Sequence, residues 1–196
     1  MTQDKRMAGD YEITNSFRIG NCEVVMGENL SDNKLPFMVA HCEQNDYLSR
    51  YFDVQVSNDY VEIVKLYAER ISEQADLVRE GIEKLDVPNT IVTKEDCIPD
   101  DYRSSINGKI IAINPDTLRN EYRRADRQLY LVTGGFGAEA NSRGSAVFCK
   151  NLHTGESTRF ERRDVMGEVK PDRLPDWAKE AITKLPEKKK HKDRER

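Results

Sequence analysis

No apolar run in this chain approaches the roughly eighteen residues that a bilayer-spanning helix requires, and Met1-Thr2-Gln3-Asp4-Lys5-Arg6 leads into no apolar signal core. Neither a membrane helix nor export is expected, and the chain reads as cytoplasmic. Paired cysteines are missing too. Cys22, Cys42, Cys97 and Cys149 are far apart, with no CxxC spacing, and histidine is limited to His41, His153 and His191. Such scatter lacks the paired ligands on one tight turn that structural zinc sites use, so reduced thiols and no metal are expected. There is no HExxH, no serine elbow, no kinase signature and no internal repeat. With the motif-bearing enzyme classes removed, neither catalytic residues nor a cofactor are assigned.

What remains is 196 residues, 37% apolar and 34% charged, which fits a folded protein with a charged surface. That length supports one ordinary domain or two small ones. The net charge of −4 conceals a split: residues 1–100 carry 20 acidic against 10 basic side chains, and residues 101–196 carry 15 against 21. The halves face different electrostatic partners, or each other, unless folding intermixes their charges.

Residues 1–10 are polar and expected to be loose. Segments 11–19 and 22–27 flank Gly20-Asn21 as a hairpin, 36–42 follows a turn-rich stretch, and 52–56 alternates apolar with polar, so an antiparallel sheet is expected. Ser57-Asn58-Asp59 supplies capping chemistry for a long helix. In it Val61, Val64, Ala68, Ile71, Ala75, Val78, Ile82 and Leu85 recur at alternating spacings of three and four. Such a stripe covers a sheet, which is the reading adopted, or forms the seam of a homodimer. The opposite face, with Glu62, Lys65, Glu69, Glu73, Asp76, Arg79, Glu80 and Glu83, is mainly acidic.

Asp86-Val87-Pro88-Asn89 breaks the helix and divides the chain into units over 11–87 and 88–185. In the second, 90–92 is expected as a short strand, Thr93-Lys94-Glu95-Asp96 as a capped turn, 97–101 as loop and 109–113 as a strand. Asn114-Pro115 predicts a helix to about residue 125. Segments 128–133, 145–150 and 156–162 read as strands, and 174–185 as a last helix with Trp177, Ala181 and Leu185 on one face. Residues 186–196, with six basic and three acidic side chains, form a tail expected to be disordered. The predicted fold class is α+β: an antiparallel sheet covered by one long helix, followed by a second small antiparallel sheet with short helices.

The segment between the 128–133 and 145–150 strands holds Gly134, Gly135, Phe136, Gly137 and Gly144, concentrating four of the chain's eleven glycines. Glycine loops can gather N–H groups around an anion, or can simply satisfy a hairpin turn. This one has no following Lys-Ser/Thr and no helix directly after it, so nucleotide-loop signatures are absent and the hairpin reading is preferred. Arg119, Arg123, Arg124 and Arg127 follow a helical rhythm, and Arg143, Arg159, Arg162 and Arg163 lie on neighbouring segments. Brought together, these arginines make a surface suited to phosphates or carboxylates, and hence to nucleic acid or an acidic protein; left apart, they form a solvated face neutralised by Glu121, Asp126, Glu161 and Asp164. The acidic helix, mimicking nucleic acid, competes as a binding face. Glu95, Asp96, Asp100 and Asp101 form the one acidic group in which a nuclease would hold divalent cations. His41 and Cys42 alternate along a strand, so they point to opposite faces and cannot act together.

Thr133-Gly134-Gly135-Phe136-Gly137, Ser142-Arg143-Gly144, Thr154-Gly155-Glu156 and Leu174-Pro175-Asp176-Trp177-Ala178 together resemble a family of small accessory proteins of conjugative and integrative elements in Gram-positive gut bacteria. The likeness covers most of 88–185 and extends to 39–60. Some mobile-element proteins of this size are type II anti-CRISPR proteins that bind Cas9 or its guide RNA. The resemblance therefore implies a non-enzymatic protein that binds a nucleic acid or ribonucleoprotein, such as Cas9 with its guide RNA, and it carries no catalytic residues. The alternatives are a metal-dependent nuclease acting on guide RNA or DNA and a structural module of a transfer apparatus.

Overall fold

A computed structural model describes residues 5–45, 48–85 and 87–184, and shows an α+β chain with two antiparallel sheets. The chain divides into two compact units, 1–86 and 87–196. None of its described helices is long and apolar enough to cross a membrane.

The first unit is a meander of β1 (Met7–Ala8), β2 (Tyr11–Ile19), β3 (Cys22–Glu28), β4 (Phe37–Gln44) and β5 (Ser49–Ser57), paired in chain order, followed by α1 (Tyr60–Glu83). Residues 7–8 are therefore a paired edge strand rather than loose chain; residues 1–4 lie outside the described residues. Asp59 caps α1 by accepting from the Val61 and Glu62 amides, at 2.8 and 3.2 Å. One face of the sheet packs Val24, Met26 and Val39 against Ile63, Leu66, Tyr67 and Ile71 of α1. Alternation sends Val25, Met38, Ala40 and Cys42 to the other face, with Ala8, Tyr11, Ile13 and Tyr51.

The helix does cover the sheet, but not with the whole stripe read from the sequence. Val61 is 61% exposed, and Val64 and Ala68 face solvent, while Ile63, Leu66, Tyr67 and Arg70 turn inward. The inward stripe of the first three turns is rotated by about two positions from the expected one, because the capped entry after β5 fixes the helix phase. From Ile71 onward the expected stripe is half-buried.

Arg6 ties the sheet's far edges together. Its Nη1 and Nη2 donate to the Glu23 carboxylate at 2.9 and 2.7 Å, and its Nε donates to the Tyr51 hydroxyl at 3.1 Å. Arg6 precedes β1 and Tyr51 lies on β5, four strands away, which in a flat sheet is about 19 Å. The sheet must curl toward the face opposite α1 for one guanidinium to reach both.

In the second unit the strand order is β10-β9-β8-β7-β11-β6, with β6 Cys97–Pro99, β7 Ile110–Ile113, β8 Leu129–Gly134, β9 Ala146–Asn151, β10 Ser157–Glu161 and β11 Val165–Val169. Strand β7 is apolar at every position because both of its faces are covered. Ile111 and Ile113 pack with Val132, Ala138 and Val147 on one face; Ala112 packs with Val92, Leu129 and Val169 on the other, over which α3 (Asp176–Thr183) contributes Ala178, Trp177 and Ile182. Trp177 is thus a half-buried packing residue, while Leu185 and the tail lie outside the described residues.

Three expectations fail here. Residues 97–99 are not loop but an edge strand, where Pro99 costs no needed ladder bond. Residues 90–92 join no strand ladder; instead the Gln128 side-chain amide accepts from the Val92 amide at 2.9 Å and donates to the Val92 carbonyl at 3.0 Å, replacing a neighbouring strand. The helix expected over 115–125 is broken into 3-10 turns at Pro115–Thr117 and Asn120–Tyr122 and a single α-turn, α2 (Ala125–Gln128). Arg124 is extended at φ −141°, ψ 154°, and the Ala125 amide donates to the Thr90 carbonyl rather than back along a helix. Strand β11 had no counterpart in the sequence reading.

Two outcomes test these assignments. Arg6 holds the Glu23 carboxyl below its ordinary value, so the stabilisation is complete above about pH 4.3 and lost as pH falls through the lower folded value. The stability advantage of the wild type over Arg6→Met should therefore shrink below about pH 4.3 in urea titrations. Burial raises the Cys97 thiol to about 11 and the Cys149 thiol to about 12, and Cys42 is fully buried. Native protein should give up at most Cys22 to a thiol reagent within minutes, and all four cysteines after denaturation.

Candidate functional site

The arginines read as a binding face are drawn into the fold to different degrees. Arg162, 3% exposed, is a structural centre of the second unit. Its Nε and Nη2 donate to both oxygens of the Asp100 carboxylate at 2.5 and 2.6 Å, Nη2 also to the Ser104 carbonyl at 3.0 Å, and Nη1 to the Gly137 carbonyl at 2.6 Å. Arg124, 5% exposed, donates to Asp126 at 2.9 Å. These two cannot meet a macromolecule.

The other six remain at or near the surface, and four of them stand beside carboxylates. Arg123 lies 3.9 Å from Asp116, Arg127 3.8 Å from Asp126 and over the Tyr122 ring, Arg159 2.5 Å from Glu161, and Arg163 4.0 Å from Asp164. Arg119 is exposed with interactions inside its own chain, and Arg143 is exposed on the glycine loop. Without a continuous helix, the rhythm of Arg119, Arg123, Arg124 and Arg127 does not place them on one helical side. Across 101–184 there are 15 basic against 12 acidic side chains, so half of the second half's positive surplus sits in residues 185–196.

The glycine loop is the β8–β9 connection, and its glycines serve close packing. Gly135 takes φ +105°, and a Cβ on it or on Gly137 would collide with the carbonyls of Ala146 and Ser145. The loop folds back on the start of β9, burying Gly137 and Ala138 and leaving Phe136 81% exposed, while Gly144 packs against Phe136. The Gly137 carbonyl is turned to Arg162, which makes the loop part of the scaffold.

Three of the four carboxylates in the acidic group are likewise committed. Asp96 accepts from the Thr93 amide and hydroxyl, both at 2.8 Å, Asp100 holds Arg162, and Asp101 accepts from the Arg103 amide at 3.0 Å. Among the described residues no group of three or more His, Cys, Asp or Glu is placed to hold a metal ion.

A site that the sequence reading did not assign lies in the first unit, between α1 and the β4–β5 pair. The register slips between the Val39–Gln55 and His41–Phe52 pairs, and in this bulge Asp53 takes a left-handed φ of 50°. The bulge turns Asp53 back so that its Oδ2 is 3.8 Å from His41 Nδ1, while Phe52 stacks on the imidazole at 5.4 Å. His41 is on the α1 face and Cys42 on the other, as alternation requires. Opposite them, α1 supplies Leu66, Glu69, Arg70 and Glu73, and the open cleft between has a volume of about 410 Å³.

Arg70 is 7% exposed yet makes no hydrogen bond or ion pair among the described residues, and its Nη1 and the His41 Nδ1 are buried without hydrogen-bond partners. Burial, helped by the Arg70 charge and opposed by Asp53 and Glu73, lowers the His41 pKa, so the ring is neutral near pH 7. Two sequence signals could have found it: an arginine three residues after Tyr67 and, four after that, a second inward polar residue, Gln74, and an aspartate inside a strand, where that residue type is depleted. Compared with family models, curated proteins and solved structures, the chain matches none.

The buried guanidiniums of Arg162 and Arg70 should respond differently to removal. Arg162→Met strands the Asp100 carboxylate in the interior and should cost about 3–5 kcal/mol in urea unfolding at pH 7. Arg70→Met breaks no bond and removes an unpaired buried charge, so it should leave stability unchanged or raise it.

Proposed function

We propose that this chain is a non-enzymatic binding protein of a mobile element that uses the acidic face of α1 to occupy a basic, nucleic-acid-binding surface of its partner, as an inhibitor of Cas9 would. The observation that carries this reading is an exposed row of carboxylates along one helix. Glu62, Glu69, Glu73, Asp76, Glu80 and Glu83 are all exposed along α1, whereas two of the eight candidate arginines are buried and four stand beside carboxylates. From Glu62 to Glu83 the helix spans about 32 Å, giving about one carboxylate per 6 Å. A DNA strand carries one phosphate per about 3.4 Å, so the helix offers a diluted version of the same linear charge. Lys65, Arg79 and Lys84 interrupt the row, with Arg79 near Asp76 and Lys84 near Glu80. The likeness to mobile-element accessory proteins supports the same kind of partner.

Neutralising the far half of the row separates this reading from its competitor. Asp76→Asn, Glu80→Gln and Glu83→Gln combined should weaken binding to Cas9 charged with guide RNA about tenfold, mainly through association rate, with the difference fading at high salt. Arg143→Glu with Arg163→Glu should leave binding unchanged. If instead the arginine pair abolishes binding and the helix variant retains it, the acidic-face reading is wrong and the exposed basic residues carry the function. Both variants can be read by interferometry and by inhibition of DNA cleavage.

A further inference from the structure

We propose that the cleft between α1 and the β4–β5 pair binds a small zwitterion of the α-amino-acid class, its carboxylate on Arg70 and its ammonium among Glu69, Glu73 and Asp53. The assignment does not depend on the macromolecular partner proposed above. It starts from an unmet requirement. A guanidinium is donor-only, and Arg70 is more than nine-tenths buried at the edge of an open cleft with no acceptor among the described residues. A carboxylate is the group that matches it in charge and planarity.

The same cleft is also lined by Glu69, Glu73 and Asp53, which are acceptor-only when ionised, and none of them pairs with Arg70. A simple anion would satisfy Arg70 and be repelled by the three carboxylates; a simple cation would meet the reverse. A molecule carrying both charges a few bonds apart satisfies both walls. The His41 Nδ1, buried and without a hydrogen-bond partner, adds one more polar contact beside Asp53. Leu66 and Val54 give the cleft an apolar side for a side chain. A volume of about 410 Å³ is at the small end of ligand pockets, which run from about 300 to 1,000 Å³, and suits a single amino acid rather than a nucleotide. The bulge at Asp53 supplies the local reason: a left-handed aspartate strains the strand, and in exchange it faces a carboxylate into the cleft.

The test is calorimetric titration of the whole chain with each proteinogenic L-amino acid, followed by the N-acetyl and carboxamide derivatives of the best binder. Saturable binding of at least one amino acid is expected, with a loss of tenfold or more when either charge is masked. Glu73→Gln, at an exposed position, should weaken that binding at least fivefold, and Arg70→Gln should abolish it, both with an unchanged circular dichroism spectrum. The Asp76, Glu80 and Glu83 substitutions lie outside the cleft and should not alter it. Absence of any binding, equal binding of a masked derivative, or binding of glycerol or inorganic phosphate in place of the amino acid would each overturn the assignment.

Discussion

A guanidinium taken out of water must find acceptors for its N–H groups, and the second unit is arranged around that requirement at Arg162. Asp100, Ser104 and Gly137 belong to segments that no strand ladder joins to one another, and all three converge on this one side chain. The glycines at 135 and 137 let the loop approach β9 closely enough to present the Gly137 carbonyl, so loop composition and buried charge are two sides of one constraint. Gln128 plays a matching part on the opposite face, where its amide gives residue 92 the hydrogen bonds that a neighbouring strand would have provided. In the first unit Arg6 closes the curled sheet by the same device.

These links explain which parts of the fold were legible in the sequence. Period-two alternation marks β2 to β5, and an unbroken stretch behind Asp59 marks α1, because both patterns come from local geometry that any sheet or helix imposes. The break at Asp86-Val87-Pro88-Asn89 is local too, and the units divide between Asp86 and Val87. What local pattern could not show was the fate of 115–125. Asn114 and Pro115 do begin a turn, but the backbone then leaves helical geometry because Thr90 and the interior on either side of Gln128 compete for its hydrogen bonds. Strand β11, five residues between β6 and β7, likewise owes its place to two long-range ladders.

The candidate sites divide along the same line. Clustering of arginine is visible in sequence, yet whether a given arginine faces solvent or a carboxylate is decided by tertiary partners, and Arg162 with Asp100, 62 residues away, has no sequence signature. The cleft at His41 was hidden for a different reason. It depends on the phase of α1, and a stripe of apolar residues at spacings of three and four has a neighbouring stripe almost as good. Ile63, Leu66 and Tyr67 outcompete Val61, Val64 and Ala68 because they are larger or better aligned with the sheet once Asp59 has set the first turn. That shift carries Arg70 inward with them.

The position of Arg6 has a consequence for how the first unit is made. Its partners at Glu23, Cys42 and Tyr51 are contributed by successively later strands, so the side chain that closes the sheet leaves the ribosome well before its last partner exists. Until β5 has been synthesised, the early strands can form a meander but their curl has nothing to lock it, and the apolar interior stays open. Closure of the face opposite α1 therefore waits for Tyr51, and a pause before residue 51 would leave a chain with most of its strands made and that face exposed.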